Sequence, residues 1–249
     1  MAKVTKKTTT AIAKKEGGAL VDARLESYGD LMDDSDIDAS DILIPKILMM
    51  QGLSPLVADE KAKMGELRGS LEGNLLAKKG EQVELIFLKK YKTWVNFSTA
   101  TGKEEFLSIE PFTPANANLA REEGDVKRYE TLNYYVLSAA ELQNESFMPY
   151  VISFRSTNYK RGKIVESFRA KMKEFGKPLC FKTLKLGTEQ VENDKGKFYI
   201  STIEEGRDTT DEELSKVKHW FKLIDGGLRV DDSAEHGETA VADDGEGDF

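Results

Sequence analysis

Of the residues that build zinc sites and disulfide frameworks, this chain of 249 has one cysteine, Cys180, and two histidines, His219 and His236. They cannot assemble a Cys/His zinc centre, and a lone thiol forms no internal disulfide. A reducing compartment, and so the cytoplasm, is expected. No apolar run approaches the roughly 20 residues that cross a bilayer. The basic start, Met1 to Lys15, lacks the apolar centre of a signal peptide, so neither membrane insertion nor export is expected. Also missing are a Gly-rich phosphate loop closed by Lys-Ser/Thr, a nucleophile elbow and paired carboxylates on an ordered element. His219 stands alone on a helical pattern, where a surface or capping role is the ordinary one. No enzyme, metal or cofactor is therefore expected. A nuclease with scattered metal-binding acids is the competing enzyme class, and magnesium-dependent loss of labelled single strand separates the two.

The net charge of −8 is a sum of unlike segments. Residues 1–15 carry +5, 16–41 carry −8, 42–229 carry +3 and 230–249 carry −8. Three parts follow: a disordered basic arm and acidic linker over 1–41, a folded domain over 42–229, and a disordered acidic tail over 230–249. The first 20 residues hold almost no large apolar side chain, so burial cannot offset the entropy of ordering them. Within the domain, Arg155 to Lys185 holds ten Lys or Arg against Glu166 and Glu174, a local +8. Alternating signs would keep a surface soluble equally well, so a one-signed excess points to a polyanion.

The periodicities predict a mainly β protein with α (α+β). The run ILIPKILMMQGLSPLV, broken by Pro45 and Pro55, reads as a packed lead-in, and Gly65 to Ala77 as turns or a weak strand. Val83, Leu85 and Phe87 start a strand that Tyr91 to Ser98 continues or pairs with, placing Trp94 on its more polar face beside Lys92. Residues 99–130 read as a long loop with one short strand near Phe106 to Ile109. Thr131 to Ser138 and Tyr150 to Arg155 are further strands. From Asn158, Ile164, Val165, Phe168, Met172 and Phe175 recur at helical spacing until Gly176. Leu179 to Leu186 and Lys197 to Ile203 form a hairpin around Asn193-Asp194-Lys195-Gly196, with Phe198 and Ile200 inward and Tyr199 and Ser201 outward. A last helix is capped by Thr210 and acidic in its first turn. Strands, one helix between the third and fourth principal strands, then a hairpin, is the order of an OB-fold, a small, partly open barrel that binds oligonucleotides.

With the entry IPKILMMQGLSP, the junction FRSTNYKRGK, the hairpin NDKGKFY and an acidic tail ending in Asp248-Phe249, the chain resembles phage-encoded single-stranded DNA-binding proteins. The tail departs from the bacterial pattern, which has a proline before the last Phe. The resemblance implies a protein that coats and protects single strands in DNA replication or recombination, with little sequence preference, in the host-cell cytoplasm. It implies replication or recombination partners docking on Asp248 and Phe249, with homo-oligomers as a further option. Single-strand binding needs cations along the phosphate path and rings on which bases stack. The residues fitting that need are Lys92, Trp94, Arg155, Lys160, Arg161, Lys163, Lys182, Lys185, Lys197 and Tyr199. The other class is an interaction protein, a phage cofactor of a transcription or recombination enzyme, which would show no salt-sensitive DNA affinity.

Overall fold

The computed structural model describes residues 42–143, 147–194, 196–225 and 229–230, all within one unit, Ala39–Phe249. In chain order the elements are β1 (Leu43–Ile44), β2 (Ile47–Met49), α1 (Pro55–Ala58), β3 (Leu67–Gly69), β4 (Leu75–Ala77), β5 (Gln82–Ser98), β6 (Glu105–Pro111), β7 (Glu122–Glu123), β8 (Val126–Ser138), β9 (Tyr150–Phe154), α2 (Tyr159–Glu174), β10 (Lys182–Asn193), β11 (Gly196–Asp208), α3 (Asp211–Asp225) and β12 (Arg229–Val230). The spine is the antiparallel pair β5 and β8, in register from Leu85 opposite Ser138 to Ser98 opposite Val126. β10 joins the first half of β5, β6 the second half, β9 flanks β8 and β11 closes the far edge. The pairing slips between Phe87 and Lys90, and such irregularities bend a strand and sharpen its twist. The result is a curled, half-barrel antiparallel sheet, an OB-like α+β fold.

Each face of the sheet has its own core. Leu85, Phe87, Leu132, Tyr134 and Phe154 pack under Val165 and Phe168 of α2. On the other face Ile86, Leu137 and Val151 pack under Val217, Trp220 and Ile224 of α3. Leu85, Ile86 and Phe87 are consecutive and all buried, because a strand covered on both sides reads as an apolar run and not an alternation. Some boundaries differ from the sequence reading. β5 is one continuous strand, the stretch read as a long loop carries β6, β7 and the start of β8, and Leu179–Phe181 is a 3-10 turn preceding β10.

α2 lies close enough to the sheet that a Cβ on Gly162 would come 2.8 Å from Leu132 Cδ1. The Tyr134 hydroxyl donates to Glu166 Oε1 at 2.7 Å, and Lys90 Nζ reaches Glu166 Oε2 at 2.6 Å. Burial pushes the Glu166 carboxyl up, but these two donors outweigh it and hold the group below its ordinary range. The helix stops as expected, with Gly176 at φ +67°. Phe175 is a correction: placed by spacing on the apolar face, it is 68% exposed.

At the start of α3 the reciprocal cap is complete. Glu213 N–H donates to Thr210 Oγ1 at 3.3 Å, and Thr210 N–H donates to Glu213 Oε2 at 2.8 Å. Arg207 grips the same carboxylate with both terminal nitrogens, at 2.9 and 2.5 Å. The Arg207 fork, against burial, holds Glu213 at about 2, below an ordinary 4.5. A depressed acid stabilises the fold above its unfolded pKa and loses that contribution as pH falls through the folded one. Acid unfolding of the wild type should therefore include a stability loss between about pH 4.5 and pH 2 that Glu213→Gln lacks. At neutral pH the variant should be weaker by about 1–3 kcal/mol, a range discounted for the solvent that reaches Arg207. Urea melts of both proteins across that window check it, and parallel pH profiles would contradict it.

Candidate nucleic-acid interface

The basic segment is one run in sequence but several environments in space. Its strand-borne members are opposed by carboxylates. Lys182 pairs with Glu205 at 2.5 Å and Asp208 at 3.5 Å, and Lys185 sits in register between Glu84 on β5 and Glu204 on β11. Lys197 stands opposite Glu192 across the β10–β11 hairpin. Cross-strand pairs of opposite sign hold the sheet together and leave little net field for a ligand. On α2, Arg169 reaches Glu166 at 3.5 Å and Lys171 reaches Glu205 at 3.1 Å. Arg161, Lys163, Lys173 and Lys177 make no ion pair among the described residues. Lys163 lies 5.2 Å over the Tyr159 ring, and Lys160 is exposed beside it. The positive surface is thus narrower than ten residues, and its unneutralised part follows α2 and the turn after it.

Trp94 is not an open stacking platform: it is 4% exposed. Phe112, in the loop after β6, stacks on it at 5.5 Å, and its indole N–H donates to Asn116 O at 3.0 Å. Asn116 braces that loop by accepting from Thr113 N–H and donating to Pro111 O. Lys92 is held in the same place, 4.7 Å over Phe112 and ion-paired with Glu130. Burial raises Glu130, but Lys92 and Tyr159 outweigh it and keep the carboxyl ionised below its usual range. A Phe between two prolines, Pro111 and Pro114, was the available sign that this loop is fixed enough to cover a strand.

Tyr199 is also buried, at 3% exposed, so the phase read for β11 is off by one residue. Tyr199, Ser201 and Ile203 face inward and Phe198 and Ile200 are half-buried. The cause is a contact distant in sequence. The Gln51 side chain clamps the Tyr199 backbone, donating to its carbonyl at 2.8 Å and accepting from its N–H at 3.0 Å. The ring lies over Gly65, at φ +83°, where a Cβ would be 2.5 Å from Tyr199 Cε1. Arg155 is half-buried as well, with its guanidinium 5.4 Å over Phe97.

Among the described residues, the only Phe, Tyr or Trp side chains left exposed are Phe175 and Phe181, at 68% and 37%. Both lie in the basic run. Phe175 follows α2 between Lys173 and Lys177, and Phe181 ends the 3-10 turn that packs against α2. Helical spacing placed Phe175 on the apolar face because apolar rings in such a stripe ordinarily pack there, and Phe181 was not singled out. Asp248 and Phe249, the expected partner-docking pair, lie outside the described residues. No group of three His, Cys, Asp or Glu is placed to hold a metal among the described residues, and no described helix is long and apolar enough to cross a membrane.

This is a β-rich, OB-like half-barrel whose covering helix carries unneutralised cations and leads to exposed rings. A family profile described as Pam3 phage gp34-like protein matches residues 14–225, from the N-terminal arm to the end of α3. The chain belongs to that family, and it is a phage protein. No curated protein and no solved structure matches it.

Proposed function

We propose that this phage protein binds single-stranded DNA with little sequence preference, coating and protecting it in replication or recombination, and carries out no reaction itself. The observation behind this is that the exposed rings, Phe175 and Phe181, are flanked by the cations of α2 and the turn after it. A buried ring serves a core and a bare ring among cations serves a π-stacking ligand that is also a polyanion. Nucleic acid single strands have both properties. Exposed rings favour a splayed strand over a duplex, whose bases are stacked out of reach. The acidic tail after Val230 recruits partner enzymes in this reading.

Titrating labelled oligo-dT at several salt concentrations tests the proposal. If Arg161, Lys163, Lys173 and Lys177 each neutralise one phosphate, log K should fall against log salt with a slope of about −3, at about −0.7 per phosphate. Duplex of equal length should bind more weakly. Salt-independent affinity, or none, overturns the reading and leaves a protein-binding cofactor of a transcription or recombination enzyme as the better one.

A further inference from the structure

Between the lead-in layer and the sheet a cavity of about 150 Å³ opens beside the start of α2. Its floor is apolar, from Ile47, Met49, Leu67, Ile152 and Leu186. Its wall is polar, and two of the polar groups are uncommitted. Ser201 is 7% exposed and lines the cavity, yet its hydroxyl makes no hydrogen bond among the described residues. Asn158 spends Oδ1 on Ser201 N–H at 2.8 Å, and its Nδ2 donors have no partner among the described residues. The residue is largely buried while its hydroxyl opens to the cavity, so a ligand in the cavity can supply the partner. Arg155 lines the same cavity, and the residue after it, Ser156, has φ +49°, a conformation that side-chain-bearing residues adopt rarely and that clusters at ligand sites. The first turn of α2 adds its own contribution. It has no acid and no side-chain cap, and it carries Lys160 and Arg161 where the helix dipole disfavours cations, an arrangement that suits a bound anion.

We propose that this cavity seats one pyrimidine base of a bound strand, with its carbonyl edge on Asn158 Nδ2 and Ser201 Oγ. A cavity of about 150 Å³ takes a single benzene-sized ring, a size that matches a pyrimidine better than the fused rings of a purine. The adjoining phosphate lies at the rim, on Arg155 and the first turn of α2. The inference rests on the strand-binding reading and deepens it. The rings at the far end of α2 hold any base, and this cavity at its near end holds one kind.

The test uses the full chain, with labelled oligo-dT and oligo-dA of equal length, in wild type, Ser201→Leu, which fills the cavity, and Ser201→Ala, which only removes the hydroxyl. Wild type should prefer oligo-dT by on the order of tenfold, the size of one base contact. Ser201→Leu should abolish the preference and Ser201→Ala should cut it about threefold, the size of one hydrogen bond, with oligo-dA affinity unchanged in both. If Ser201→Leu does not fold, Ser201→Ala decides alone. A preference that survives in the variants belongs to the flexibility of the thymine strand and overturns the cavity. Equal tight binding of both oligomers by wild type also overturns it while leaving strand binding intact, and absence of binding to either overturns both.

Discussion

Replacing Phe175 and Phe181 together by alanine should weaken oligo-dT binding by about 1–3 kcal/mol for each ring that stacks a base, a loss of tenfold or more, while the salt slope stays that of the wild type. The slope is retained because neither ring neutralises a phosphate. Folding stability should hardly move for Phe175, since exposed side chains outside any cap, core or network usually change stability by no more than about 0.5 kcal/mol. The contrast with a charge variant makes the result interpretable. Lys173→Ala with Lys177→Ala should flatten the slope by about 1.4, at about 0.7 per phosphate, and leave the stacking contribution in place. Anisotropy titrations of the variants over the same salt series, with a thermal melt of each, check both statements. An unchanged affinity in the double Phe variant would remove the observation on which the functional reading stands.

Trp94→Ala should behave in the opposite way. The indole is 4% exposed, stacked on Phe112 and hydrogen-bonded to Asn116 O, so truncation leaves a cavity under the loop and an unpaired carbonyl above it. Large-to-small changes of this kind cost about 3–5 kcal/mol. For a domain of this size that is a fall in Tm of roughly 6–20 °C. Where the variant stays folded, its affinity for oligo-dT should match the wild type, because the ring touches no ligand. A variant that melts normally yet binds ten times more weakly would restore Trp94 as a platform and contradict the burial. Calorimetry and one titration at low temperature separate the outcomes.

Much of the fold was legible in the sequence where local chemistry and periodicity agree. α2 shows a 3.6-residue pattern stopped at Gly176, α3 opens on a Thr210 cap with acids in its first turn, and the final hairpin shows its turn residues. The basic run was equally plain. What could not be read is which side of a strand lies under something else. Trp94 is covered by a loop that returns 18 residues later at Phe112, and Tyr199 is fixed by Gln51 and Gly65, both more than 130 residues earlier. A strand packed on both faces loses the alternation by which its inner side is recognised. The error at Phe175 is the same in reverse. A ring at the end of an apolar stripe reads as core, and only the position of the helix end relative to the sheet leaves it bare.

Of the candidate site, the cations on α2 stay accessible, while the two rings, Trp94 and Tyr199, are buried. Of the residues singled out, Arg161 and Lys163 remain on the open cationic surface with exposed Lys160 beside them. Lys182 is paired with Glu205 and Asp208, Lys185 and Lys197 stand opposite carboxylates across the sheet, and Lys92, Trp94 and Tyr199 are bound up in packing. Charge is a property of composition and shows in the sequence. Pairing depends on register, which brings Glu204 and Glu205 of β11 beside lysines of β10.

Ultraviolet crosslinking of oligo-dT to the full-length protein, followed by peptide mapping, tests the central claim most directly. Crosslinks should fall on the peptides that contain Phe175 and Phe181 and should disappear from them, without moving elsewhere, when both rings are replaced by alanine. A bound strand that crosslinks only to peptides remote from α2 and the turn after it, with none at Phe175 or Phe181, would contradict it.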